Sequence, residues 1–301
     1  MSAAETIRKI TGARVIEREP MSRHTTLGVG GPADIFVEVS TIGQLSLLMR
    51  YLGSEQMPWM VLGDGANLLV SDRGVRGVVI HLIGDLESIW AEGNLVRAGA
   101  AARVARVADF AAARGLGGLE GPGVVPGTIG GGIVMNAGTN EGGYIDQVVE
   151  SVFVVDSDGE HYELSAEECG LRYRKSVFQD DRSRVIASAS LRLKTGSAEE
   201  IRRSLEACRK RRLQVHPQGR SAGCFFKNPS GSHAGYLIEI SGGKGMREGG
   251  AVVSDLHGNF IMNDGGATAS DLVRLAERVR ELIREKHGIE LEYEVRLVGE
   301  W

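Results

Sequence analysis

The chain has 301 residues, 42% hydrophobic and 25% charged, with a formal charge of −4 at neutral pH. This describes an ordinary globular protein long enough for two or three cores, and its charge argues against a nucleic-acid partner, which needs a basic surface. Three cysteines without a CxxC pair, no apolar leader and no run of 18 apolar residues lead to the expectation of a cytoplasmic protein with no disulfide framework and no membrane partner.

Residues 1–20 read as a polar amphipathic helix, with Ile7, Ile10 and Val15 weakly periodic ahead of the breaker Pro20. A turn over Gly28–Pro32 leads into a strand carrying Ile35, Val37 and Val39. Leu45, Leu48, Met49 and Leu52 then recur at helical spacing, and the short strand WMVL enters GDGANLLVSD, which is βαβ logic. The loop Gly63–Asn67 reads either as a tight turn or as a cradle of N–H groups for a phosphate, with the Asn67 amide as a further donor. It is not a Rossmann fingerprint, having no third glycine and no helix after it, and there is no Walker sequence.

Val78–Leu82 and Leu95–Ala98 read as strands, and Val104, Val107, Ala108 and Ala111 as one face of a helix ended by Gly115. The stretch GGLEGPGVVPGTIGGGIVMNAGTNEGG, residues 117–143, follows. Its glycines, set around Pro122, Pro126 and Thr128, allow positive φ and close approach of a large ligand; a helix or strand is badly served by it. Such a cluster reads as an anion-binding concavity or as a glycine-rich turn region.

VVESVFVVDSDGEHYEL is a hairpin turning at Asp158-Gly159, and SRVIASASLRLK a strand closing that unit. A second unit begins near Gly196 with a helix marked by Ile201, Leu205 and Cys208. Its other face carries Arg202, Arg203, Arg209, Lys210, Arg211 and Arg212, a solvated face rather than a nucleic-acid patch. Short strands AVV and FIM precede a helix with Leu272, Leu275, Val279, Leu282 and Ile283 apolar, Ser270 as N-cap and Gly288 as C-cap. The last strand is LEYEVRLV, whose alternation puts Glu294 and Arg296 on one face.

Three segments hold polar residues that a fold does not need. In LRYRKSVFQ, Arg172, Arg174 and Lys175 surround Tyr173; a guanidinium offers fixed paired donors to an anion or a developing enolate oxygen. In SAGCFFKNP, Cys224 stands ahead of Lys227 and Asn228, and a thiol can exchange a proton near neutrality. Glu294 and Arg296 form the third. Surface charge, a core thiol and a structural ion pair are the respective plain alternatives.

Taken together, HTTLGVGGPAD, VLGDGANLLVSD, GLEGPGVVPGTIGGGIVMNAG, YRKSVF, SAGCFFKNP, HGNFIMN and LEYEVRLVG resemble the UDP-N-acetylenolpyruvoylglucosamine reductases, the MurB family, in the family's order. The short spacing between YRKSVF and SAGCFFKNP is similar to the branch without an extra tyrosine loop. The resemblance implies an α+β chain: an N-terminal segment over 1–22, a PCMH-type FAD domain over 23–195 in two subdomains (about 23–85 and 86–195), and an α/β substrate domain over 196–301. FAD, non-covalent, would lie between the domains. It would be held by Gly63, Asp64, Gly65, Ala66, Asn67 and Leu68 and by Pro126, Gly127, Thr128, Gly130, Gly131, Asn136, Ala137 and Gly138.

The same resemblance implies catalysis by Arg174, Cys224 and Glu294, with NADPH as hydride donor. Tyr173, Lys227, Asn228, Tyr236, Glu239, Lys244 and Arg296 would contact a UDP-sugar substrate. Two positions depart from the pattern: Cys224 stands where serine is usual, and Ala66 where serine is common. The implied reaction is NADPH-dependent reduction of the enolpyruvyl ether of UDP-N-acetylglucosamine to UDP-N-acetylmuramate, for peptidoglycan. A PCMH-type flavin oxidase acting on a sugar alcohol and an inactive nucleotide-sugar binding protein are the alternatives. No metal is expected, the seven histidines being scattered without an HExxH.

Overall fold

Gly12, in the left-handed conformation, caps a first helix Ala3–Thr11 by donating its N–H to Arg8 O, and the chain then turns into a strand, Arg14–Pro20. The expected helix over 1–20 is therefore half right. Beyond Gly12 the β-branched pair Val15-Ile16 finds a neighbour strand, and tertiary pairing overrides the weak helical period. In the computed structural model the described residues are 1–181 and 183–301, with Asp180 described by its backbone alone.

The chain divides into two compact units, each drawing on separated stretches: 1–17, 35–63 and 77–211 in the first, 18–34, 64–76 and 212–301 in the second. Each has its own hydrophobic core.

The first unit is built on two larger sheets. One runs in the order Arg14–Pro20, Pro32–Val39, Val75–Leu82, Trp59–Leu62, the last two parallel, and helix Ile42–Ser54 buries Leu45, Leu48, Met49 and Leu52. The other is antiparallel, in the order His161–Ser165, Val149–Asp156, Arg184–Arg192, Leu95–Gly99, Ile89–Glu92. The hairpin turn falls at Asp158-Gly159 as expected. Helix Val104–Ala112 buries the anticipated Val104, Val107, Ala108 and Ala111.

The central glycine stretch is not purely loop: it holds a helix, Ile129–Val134. Thr128 starts it, its Oγ1 accepting from Gly131 N at 3.3 Å, and buried Ile129 and Ile133 anchor it in the core. Capping and burial together outweigh the roughly 1 kcal/mol that each helical glycine costs.

In the second unit a four-stranded antiparallel sheet runs Ser221–Cys224, Phe260–Asn263, Ala251–Val253, Arg247–Glu248. Helix Ala269–His287 buries Leu272, Leu275, Ala276, Val279 and Ile283, the leucine, valine and isoleucine side chains contributing about 1.5–3 kcal/mol each when fully buried. Its N-cap is Thr268, in a capping box with Asp271, not the expected Ser270; Gly288 is the C-cap. Ser270 instead donates its Oγ to Asp72. The final strand is only Arg296–Val298, parallel to Leu68–Val70. Glu294 lies ahead of it, and Phe225 O accepts from both Glu294 N (2.9 Å) and Val295 N (3.4 Å). Among the described residues no helix is long and apolar enough to cross a membrane.

Candidate active site

In the first unit two predicted segments meet. A Cβ added at Gly63 would lie 2.7 Å from Thr128 Oγ1, so the first glycine loop begins against the central glycine stretch. Gly130 N donates to Ala100 O at 2.9 Å, and Ala137 N to Gly132 O at 2.7 Å; Gly138 pairs with Tyr144. Pro126 precedes Gly127, whose φ is +139 and whose surroundings hold nothing within 4 Å of a Cβ.

Buried Asn136 ties this stretch to the arginine segment. Its Nδ2 donates to Asp146 Oδ2 (2.8 Å) and Arg172 O (3.0 Å), while its Oδ1 accepts from Asp146 N (3.1 Å). Arg174 reaches back with Nη1 to Asn136 O at 3.4 Å. The guanidinium lies 5.4 Å from the Tyr173 ring and 5.9 Å from the Tyr144 ring, and the two rings meet edge to face. Tyr144, Asp146 and Gln179, whose Nε2 donates to Arg174 O at 3.0 Å, support this arrangement and were not anticipated.

In the second unit Gly65 takes φ +63, and a Cβ there would strike His24 O at 2.1 Å, so the turn Asp64–Asn67 requires glycine at that point. After Ala66, Asn67 Nδ2 donates to Glu294 O at 3.1 Å, and Arg296 N donates to Asn67 O at 3.0 Å. Leu68 is paired with Arg296. The structure thus joins the second half of the glycine loop to the Glu294–Arg296 segment.

Cys224, half-buried at the end of its strand, lines a cavity of about 270 Å³ with Asn228, His233, Tyr236, Glu239, Leu256 and His257. Three predicted substrate residues therefore share one cavity with the predicted proton donor. Asn228 Oδ1 accepts from Ala234 N (3.0 Å) at the start of helix Ala234–Ile240, which carries Tyr236 and Glu239. Lys244 pairs with Glu239 at 2.7 Å and Lys227 with Glu292 at 3.0 Å. Exposed pairs of this kind are worth about 0–1 kcal/mol, so an anionic ligand can displace them.

Arg212 was read with a solvated face. Arg203, Arg209 and Arg211 do pair outward, with Glu199, Asp109 and Glu141. Arg212 instead lies half-buried, where desolvation lowers its pKa and the nearby Cys224 raises it. His257 was also missed: its Nδ1 accepts from Asn259 N at 3.2 Å, and burial, reinforced by Lys244, holds its pKa down.

The residues fit a dinucleotide cofactor. The main chain at Gly127 faces open space that no side chain fills, and Thr128 and the glycines after it leave a helix start without bulky groups.

Comparison with known proteins agrees. Residues 33–165 match an FAD binding domain profile, and residues 215–298 the C-terminal domain of UDP-N-acetylenolpyruvoylglucosamine reductase. A reductase of that name from Symbiobacterium thermophilum is 42% identical over 98% of this chain and 96% of its own length. The Bacillus subtilis one is 38% identical over 95% and 94%. The Thermus caldophilus enzyme's crystal structure superposes with a TM-score of 0.84 at 39% identity, covering 95% of this chain and 99% of that one. A chitooligosaccharide oxidase at 12% identity, with a TM-score of 0.50, shares the fold alone, over 64% of this chain and 44% of its own. The expected PCMH-type α+β architecture is thus the observed one, and the chain belongs to the UDP-N-acetylenolpyruvoylglucosamine reductase family of FAD-dependent oxidoreductases.

Proposed function

We propose that the chain reduces the enolpyruvyl ether of UDP-N-acetylglucosamine to UDP-N-acetylmuramate at the expense of NADPH, as a step of peptidoglycan precursor synthesis. The carrying observation is the cavity in which Cys224 stands beside Asn228, Tyr236 and Glu239, inside the segment that matches the reductase C-terminal domain. Three free cysteines accord with a reducing, cytoplasmic setting. Cofactor binding is assigned to residues 23–195 and substrate recognition to 196–301, with 1–22 a leading segment.

Bound FAD would supply two-electron redox chemistry between NADPH and C3 of the enolpyruvyl group. The backbone of Gly63–Leu68 and of Pro126–Gly138 would hold it. Charge then builds on C2 and the substrate carboxylate. Arg174 meets that charge with a fixed pair of donors, its direction set by Asn136 and the two tyrosine rings. Glu294 would meet the same charge, either by donating a hydrogen bond in its protonated state or by orienting another donor. Cys224 gives its proton to C2, completing the lactyl ether; thiols, of reference pKa near ~8.5, are far stronger acids than serine hydroxyls. Tyr173, Lys227, Asn228, Tyr236, Glu239, Lys244 and Arg296 orient the sugar nucleotide.

The test is the visible spectrum of the purified protein. A flavin spectrum is expected, bleached by NADPH and restored anaerobically by the enolpyruvyl sugar nucleotide. A reduced flavin that this substrate does not reoxidise, while oxygen does so rapidly, refutes the assignment.

A further inference from the structure

We infer that Asn67 is a positioning residue that fixes Glu294 relative to Cys224 and links that placement to the turn Asp64–Leu68. The inference rests on the roles proposed above for Glu294 and Cys224.

Glu294 lies outside the regular strand, which starts two residues later. Its main chain is held from two sides. On one side Glu294 N donates to Phe225 O at 2.9 Å, and Phe225 directly follows Cys224. That neighbour is itself fixed: Phe225 N donates to Asn259 O (2.8 Å), and the Asn259 side chain bonds both Phe226 N (2.9 Å) and Phe226 O (2.7 Å). On the other side Glu294 O accepts from Asn67 Nδ2 at 3.1 Å, and Arg296 N donates to Asn67 O at 3.0 Å. Asn67 therefore grips the same short segment with its side chain and its main chain.

The side-chain half of this grip is specific to an amide. Aspartate has the same shape but would set an oxygen against the Glu294 carbonyl, and alanine would leave that carbonyl without its donor. A misplacement of about 1 Å in a catalytic group costs on the order of 10²-fold in rate. The position of Asn67 depends in turn on the Gly65 turn packed on His24. Shifts in that turn are thereby transmitted to residues 294–296 through two hydrogen bonds.

The experiment compares wild-type holoenzyme with Asn67→Ala, Asn67→Asp and Glu294→Gln. Flavin content, reduction by NADPH or dithionite, and reoxidation by the enolpyruvyl sugar nucleotide are measured separately, with amide hydrogen exchange over residues 293–298 as a readout independent of turnover. Expected for both Asn67 variants, saturated with added FAD, are reduction close to that of the wild type, reoxidation slowed roughly 10- to 100-fold, and faster exchange in that segment. Reoxidation and exchange at wild-type values overturn the inference. So does equal slowing of both half-reactions in the flavin-saturated variants, since that makes Asn67 a general structural residue. Wild-type reoxidation in Glu294→Gln refutes the role of Glu294 itself; the exchange data then still decide whether Asn67 holds the segment.

Discussion

Arg174 sits at φ +53 and its partner Asn136 at φ +44, two non-glycine residues in the left-handed region within one hydrogen-bonded group. Each such conformation costs on the order of 1–3 kcal/mol and persists where surrounding bonds over-determine it, as Gln179 and Asp146 do here. Strain of this kind accords with a guanidinium held for use. For Cys224 the proposed role has a sharp consequence. Cys224→Ala is expected to keep its flavin and its reduction by NADPH but to reoxidise with the enolpyruvyl substrate roughly 10²- to 10⁴-fold more slowly, the usual worth of general acid catalysis. Stopped-flow absorbance of the two half-reactions checks this, and an unchanged reoxidation rate removes the thiol from the mechanism. Serine at the same place should fall between the two, since its hydroxyl supplies the proton less readily.

Helix Ala269–His287 illustrates what period reveals and what it hides. Its apolar stripe and its C-cap were legible because burial imposes a 3.6-residue repeat and Gly288 ends it. Its start was not, since Thr268 and Ser270 are both good caps and only geometry separates them. Thr268 accepts from Asp271 N at 3.0 Å, whereas Ser270 serves Asp72, which also accepts from Ala269 N at 2.8 Å and Ser270 N at 2.9 Å. Thr268→Ala is accordingly expected to cost about 1 kcal/mol, with Ser270→Ala costing less because Asp72 keeps both backbone donors. Urea unfolding of the two variants checks the order, and a reversal would return the cap to Ser270. Arg212 was hidden for a related reason. It lies seven residues after Leu205 and four after Cys208, on the stripe those two mark, but a run of four cations reads as a surface. The glycine motifs announced their loops plainly. What they could not announce is that Asn67 turns toward Glu294, because that contact joins residues 227 positions apart.

Across the molecule as a whole, ionisation in the second unit sets a pH limit that no catalytic argument supplies. His216 packs 5.0 Å from the Phe260 ring and 5.4 Å from His257, with its Nδ1 buried and without a hydrogen-bond partner among the described residues. Burial, with Arg212 and His257 acting in the same direction, pushes its pKa down from the usual histidine range to about 4. His257 is shifted the same way, chiefly by burial. Between that value and the unfolded value near ~6.5, the unfolded chain binds a proton at this position that the folded chain refuses, so stability rises with pH across the window. The contribution of His216 is fully present above about pH 6.5 and is lost as pH falls toward about 4. The denaturant midpoint of the flavin-free protein is therefore expected to drop over this interval, ahead of the range in which carboxylates protonate. His216→Phe, which keeps a ring against Phe260 and cannot be protonated, should flatten that part of the curve while leaving the steeper loss at lower pH. An unaltered slope in the variant would assign the acid sensitivity to other groups and would mean that the His216 ring gains access to water in the folded chain.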